Sequence, residues 1–191
     1  MAGQYNGTQT TKTFSYLFSG ACRALESAEE EVEGQLYEVM NCLILQAFTV
    51  EAYLNHLIEG PEDHHMNLVF KRSRPSVWEK YQAIAVALQL PTTKLVDAYP
   101  SVAELLEFRN TLAHGKTESI TVSETLEGNE APHRVTDHQF PSWMRFCDIE
   151  RARDSLEVVR EFIETLHAKA GLGRYPLSTL GGGIFSFKLL D

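Results

Sequence analysis

The sequence is poor in the features that mark several large classes of protein. It has 3 cysteines in 191 residues, Cys22, Cys42 and Cys147. The number is odd and no spacing resembles a metal knuckle, so neither a disulfide scaffold nor a zinc module is expected. Two of the three lie in helical apolar patterns and the third starts one, which reads as reduced, buried thiols in a cytoplasmic protein. No run of about 18 apolar residues occurs, so no membrane partner is expected. The first residues, MAGQYNGTQTTK, contain no apolar run that would read as a secretory signal. Positive charge is also scarce: 17 Lys and Arg stand against 26 Asp and Glu, a net charge of -9. That excludes a surface that grips nucleic acid or an anionic membrane all over, but not a local basic site. Gly181-Gly182-Gly183 lacks the lysine and the following helix that a phosphate loop needs, and no serine sits in a nucleophile elbow. No cofactor and no metal is expected.

What the chain does have is helical periodicity. Its length suits one domain with a proper core, and its hydrophobic content of 43% is ordinary for a globular protein. Residues 1–12 are small and polar and read as a disordered lead-in. Thr13 or Ser15 can cap a first helix carrying Phe14, Leu17, Phe18, Ala21, Leu25 and Ala28 at three- and four-residue steps. Glu29-Glu30-Glu31 and Gly34 end it or bend it. A long helix follows from about Gln35 to Ile58, with the stripe Leu36, Met40, Leu43, Ala47, Val50, Leu54 and Ile58, and Gly60-Pro61 stops it. Pro75-Ser76 opens a third helix to Leu90 with Val77, Tyr81, Ile84 and Leu88 inward. Pro100-Ser101 opens a fourth, to His114, with Gly115 as a ready cap. A last helix spans about Asp148 to Ala170. Its Ile149, Ala152, Leu156, Val159, Ile163 and Leu166 make a core or dimer seam.

Residues 116–146 separate the last two long helices. Ser119 to Ser123 alternates polar and β-branched residues and Glu127-Gly128-Asn129 supplies a turn, so a β-hairpin-like insertion is expected there. The tail, 171–191, is a loop followed by a short strand or docking segment at Ile184-Phe185-Ser186-Phe187. The expected fold is all-α: an up-and-down bundle of about five helices in a single domain over 13–170, with that insertion.

The fourth helix contains the most informative stretch, Glu107-Phe108-Arg109-Asn110-Thr111-Leu112-Ala113-His114-Gly115-Lys116. At about 100° per residue, Val102, Leu105, Leu106, Leu112 and Ala113 share one broad face, and Arg109 projects from its centre. A guanidinium is always charged, so its place among leucines is costly unless an anion meets it. Asn110 and His114, four apart, stack along one edge. The second helix shows the complementary oddity. Glu51 lies inside the stripe of Ile44, Ala47, Leu54 and Ile58, with Asn55 one turn on. The two helices are therefore expected to face each other through a Glu51–Arg109 pair. Such a pair can simply fix helix register, and a histidine at a helix end can simply meet the dipole. Arg160 and His167 repeat the Arg–His spacing within an ordinary seam helix, so spacing alone settles nothing.

The phrase RNTLAHGK at a helix end, with the helix LQAFTVEAYLNHLI before it, resembles the HEPN superfamily, whose pattern is Arg, a polar residue, three variable residues and His. Here these are Arg109, Asn110 and His114. The resemblance covers roughly residues 35–115, and from 148 onward only as a helix of the right kind. It implies a helical bundle that pairs as a homodimer, with two motifs meeting in one cleft. It further implies metal-independent endoribonuclease chemistry in which the RNA 2′-hydroxyl attacks, in a toxin–antitoxin or defence setting with an antitoxin-like protein partner. His114 would be general acid or base, Arg109 the phosphate clamp, Asn110 an orienting group, and Glu51 with Asn55 the support. Lys116, Lys71, Arg72 and Arg74 would help to bind RNA, although such a basic cluster is also what a solvated loop looks like. The competing expectation is a catalytically silent dimeric module for interaction or nucleotide binding. It is favoured by the acidic balance.

Weaker candidates remain. His64-His65 with Glu62 and Asp63 could meet a metal, but adjacent histidines point apart and read as loop. His133 and Asp137-His138 have suitable chemistry without recognisable spacing. Trp78, Phe140 and Trp143 read as packing anchors.

Overall fold

The computed structural model describes residues 2–59, 66, 68–91, 94–115, 117–121 and 140–190. In chain order the elements are β1 (Ala2–Thr11), α1 (Thr13–Glu30), α2 (Gln35–Glu59), α3 (Val77–Ala87), α4 (Leu95–Ala98), α5 (Pro100–Ala113), α6 (Ser142–Phe146), α7 (Ile149–Lys169) and β2 (Gly181–Leu190). The described residues are mostly helical, with one small antiparallel sheet.

Helix α2 is the axis of the molecule. It buries Val39, Cys42, Leu43, Ala47, Val50, Tyr53, Leu54 and Leu57. These residues fill an arc of about 140°, and the partly buried Met40, Ile44, Leu45, Ala52 and Ile58 carry apolar surface round the other sides, so α1, α3, α5 and α7 all pack on it. A helix apolar on most sides has to be covered on most sides. Gly34, at φ 81°, takes the left-handed turn that lets α1 lead straight into α2. The stripe on α7 buries Ala152, Leu156, Val159, Ile163 and Leu166 within the single chain, so it is core rather than a seam left open for a partner. Ser76 and Glu79 form a capping box at the start of α3. Asp148 caps α7 by accepting from the Arg151 N–H at 2.9 Å.

Several expectations need correction. The first helix has Lys12 at its N-cap, without a side-chain cap, so neither Thr13 nor Ser15 fills that role. Ser15 is buried instead and donates to the Pro176 carbonyl. The stretch read as a disordered lead-in is a strand: β1 pairs with β2 over ten positions, from Ala2 opposite Leu190 to Thr11 opposite Gly181. Lys12 extends the pairing by donating its N–H to the Leu180 carbonyl at 2.8 Å. The partner strand lies at the far end of the chain, so no local period announces it. The β-hairpin-like insertion is not seen among the described residues. Residues 119–121 form no strand, and α6 occupies 142–146. The turn at Glu127-Gly128-Asn129 lies outside the described residues. The sheet that the described residues do form is β1 with β2.

On α5 the inward face is Val102, Ala103, Leu105, Leu106 and Phe108, while Ala113 is exposed. The expected face was therefore rotated towards the helix end. Phe108 stacks on Phe146 of α6 with ring centroids 4.8 Å apart. Trp78 and Trp143 do pack against the core as anchors, whereas Phe140 is exposed. Cys42 is buried, Cys22 and Cys147 are half-buried, and all three are free thiols; burial pushes each of them up. Among the described residues no helix is long and apolar enough to cross a membrane.

Candidate functional site

The complementary charges read from α2 and α5 do meet. Arg109 Nη1 donates to Glu51 Oε2 at 2.8 Å. A third group, on α3, joins them: Lys80 Nζ donates to Glu51 Oε1 at 3.2 Å. The carboxylate is thus shared end to end between two cations rather than gripped by one guanidinium fork. The side chains are largely enclosed, with relative exposures of 12% for Lys80, 18% for Arg109 and 29% for Glu51. Desolvation of three such groups is costly, and only close pairing offsets it. Burial alone would push the Glu51 carboxyl up. The hydrogen bonds from Arg109 and Lys80, and their charges, outweigh that and hold it below the ordinary carboxylate value.

The guanidinium is incompletely used. One of its five N–H groups binds Glu51, and Nε is buried with no hydrogen-bond partner among the described residues. The three remaining N–H groups sit on the terminal nitrogens. Phe48, one turn before Glu51 on α2 and 40% exposed, lies beside the guanidinium, with Cζ 5.8 Å from the ring centroid.

His114 is exposed and forms the C-cap of α5, its own N–H returning to the Asn110 carbonyl at 3.0 Å. Gly115 follows closely. A Cβ there would stand 3.3 Å from the carbonyl oxygens of Thr111 and Leu112, so a glycine suits the turn out of the helix. Asn110 and Asn55 are both half-buried. No hydrogen bond or ring contact joins Arg109 to His114 among the described residues. Five residues apart on α5, they are separated by about 140° around the axis and about 7.5 Å along it.

Lys71, Arg72 and Arg74 are exposed and lie on the approach to Ser76, one turn before Lys80. They take no part in the Glu51 cluster itself. Lys116 lies outside the described residues, as do Glu62, Asp63, His64, His65, His133, Asp137 and His138. Among the described residues, no group of three His, Cys, Asp or Glu is placed to hold a metal ion. The second Arg–His spacing is absorbed into packing: Arg160 pairs with Glu157 and stacks on Phe18, and His167 Nδ1 meets the buried Tyr53 hydroxyl at 3.1 Å.

Sequence reasoning missed Lys80 and Phe48. Lys80 stands three residues after Val77 and four before Ile84, both buried, so it interrupts its stripe as Glu51 and Arg109 interrupt theirs. That signal was present. No protein-family model matches the chain, and no curated protein or solved structure matches it either.

Proposed function

We propose that the chain is a HEPN-type, metal-independent endoribonuclease that works as a homodimer. The observation that carries the reading is the Glu51–Arg109 pair between α2 and α5, with an exposed His114 at the end of the same α5. RNA supplies its own nucleophile. The 2′-oxygen attacks the adjacent phosphorus, the bond to the 5′-oxygen breaks, and a 2′,3′-cyclic phosphate and a 5′-hydroxyl result. A base must take the 2′ proton and an acid must give one to the leaving oxygen. Imidazole does either near neutral pH. The negative charge that gathers on the phosphoryl oxygens needs fixed cationic donors, and Arg109 has three N–H groups to offer.

The separation of Arg109 from His114 within one chain supports the dimer. Two-fold pairing through the α5 ends would set the histidine of each copy beside the arginine of the other. The toxin–antitoxin or defence setting and an antitoxin-like partner belong to the same reading. A silent dimeric module is favoured by one observation: Glu51 already holds two cations, as a register pin would.

The test is incubation of the purified protein with single-stranded and structured RNA, with and without chelator. The expected result is chelator-resistant cleavage leaving cyclic phosphate ends, abolished by Arg109→Ala and by His114→Ala. Cleavage that survives both substitutions, or that needs added metal, overturns the reading.

A further inference from the structure

We propose that Lys80 is the second cation of an oxyanion seat, in which its ammonium and the Arg109 guanidinium, held apart by Glu51, together receive one phosphodiester of a bound RNA strand. The proposal rests on the ribonuclease reading for the identity of the polymer but not for the anion.

A lysine is a strongly hydrated point charge, and enclosing it to 12% exposure is costly. If Glu51 needed only a counter-ion, Arg109 at 2.8 Å already supplies it. The second cation leaves one positive charge over, on a chain whose net charge is -9. Within a partly enclosed site that surplus is screened less than on the open surface. Donors are in surplus as well. Among the described residues Lys80 uses one of its three N–H groups, on Glu51 Oε1, and Arg109 keeps three on its terminal nitrogens. Glu51 sets the spacing, because each of its oxygens fixes one cation and neither cation is capped by both. A surplus charge with several unfilled donors suits a ligand of one negative charge and several acceptors, which describes a phosphodiester. The exposed ring of Phe48 flanks the seat, where the base next to that phosphate can lie flat. The neighbouring acid on α3 does not compete, since Glu79 is engaged by the backbone and hydroxyl of Ser76.

The experiment measures binding of a fluorescent single-stranded oligonucleotide with 2′-deoxy sugars, which cannot be cleaved by this chemistry, across a series of salt concentrations. The full chain is compared with Lys80→Met, Lys80→Arg and Glu51→Gln. Lys80→Met is expected to weaken binding about tenfold and to lower the slope of log affinity against log salt by about 0.7, the loss of one phosphate contact. Lys80→Arg keeps both. Glu51→Gln, which removes the negative charge and keeps one of the two acceptor oxygens, is expected to bind more tightly than the parent, the added positive charge outweighing the loosened spacing. A register pin predicts weaker binding in every variant. Unchanged binding by Lys80→Met overturns the proposal. If that variant does not fold, weaker or unchanged binding by Glu51→Gln overturns it, as does a parent chain that binds no oligonucleotide. Lys80-dependent binding without RNA cleavage by the parent refutes the ribonuclease and leaves the seat standing. Cleavage with Lys80-independent binding does the reverse.

Discussion

Helix α2 carries two polar clusters on different sides, and they are built on opposite rules. Towards α7, Gln46 Nε2 donates to the Ala152 carbonyl at 2.8 Å, and its Oε1 accepts from the Ser155 hydroxyl at 2.7 Å. Gln46 and Ser155 are both buried, the groups are neutral, and donors meet acceptors. Towards α3 and α5, Glu51, Lys80 and Arg109 are charged and partly open, with more donors than the one carboxylate can use. A closed neutral network fixes how two helices pack. An open charged one with donors to spare costs more than packing requires, and that excess is the physical ground for reading it as a site rather than a clasp.

The largest effects should separate activity from stability. His114→Ala removes an exposed side chain at a helix end. It is expected to lower RNA cleavage by about 10²–10⁴-fold while leaving the melting temperature within the error of the parent. Single-turnover cleavage and thermal unfolding on the same preparation check both halves. A melting temperature that falls along with the activity would mean that the helix end matters for folding, and the contrast between the two clusters would lose its sharpest support.

The neutral cluster should behave in the opposite way. Gln46→Leu removes the donor to the Ala152 carbonyl and the acceptor of the Ser155 hydroxyl, and leaves these two buried groups only their own longer bond, at 3.2 Å. The expected cost is about 2–3 kcal/mol in denaturant unfolding. Cleavage of RNA by the molecules that remain folded should be unchanged. A large loss of activity at full stability would place Gln46 in the site and leave the two clusters with one role.

These two clusters also mark what a sequence can disclose. Glu51 and Arg109 were legible because each interrupts an apolar stripe, and a charge inside a stripe demands a partner. Lys80 obeys the same rule between Val77 and Ile84, but a lysine snorkels so readily that its position reads as a stripe's border. Its burial depends on α2 lying above it, which no local pattern contains. The helices themselves were legible from their three- and four-residue steps, most cleanly α7, whose Ala152, Leu156, Val159, Ile163 and Leu166 are all core. The pairing of β1 with β2 was not, although a short strand over Ile184-Phe185-Ser186-Phe187 was legible within β2. The ribbon's aromatic face, Tyr5 with Phe185 and Phe187, is exposed, so the alternation Phe185-Ser186-Phe187-Lys188 marks a strand but no buried face says what it pairs with. The pairing joins residues about as far apart as the chain allows. Short α4 and α6 escaped for another reason: four and five residues cannot display a period.

The smallest expected effect concerns pH. In the folded chain Glu51 is held below its ordinary value by Arg109 and Lys80 against the opposing pull of burial, whereas in the unfolded chain it titrates near 4.3. A carboxyl depressed by folding contributes stability that is complete above the unfolded value. That contribution disappears as pH falls from there through the folded value. Glu51→Gln cannot titrate. It should therefore be less stable than the parent by about 1 kcal/mol at pH 7, because two enclosed cations lose their counter-charge and only one of them keeps an acceptor. The gap should stay constant down to about pH 5.5 and narrow below about 4.3, as the parent's own carboxyl takes up a proton. Denaturant unfolding of both chains from pH 3 to pH 7 reads the gap directly. Gln46→Leu, run alongside, should show a deficit that does not change with pH, since no group in its cluster titrates in that range. Two parallel stability curves for parent and Glu51→Gln would mean that the pairing with Lys80 and Arg109 adds nothing to the carboxylate's preference for its charged form. The charged cluster would then be as indifferent to protons as the neutral one, and the physical difference between the two sides of α2 would shrink to geometry.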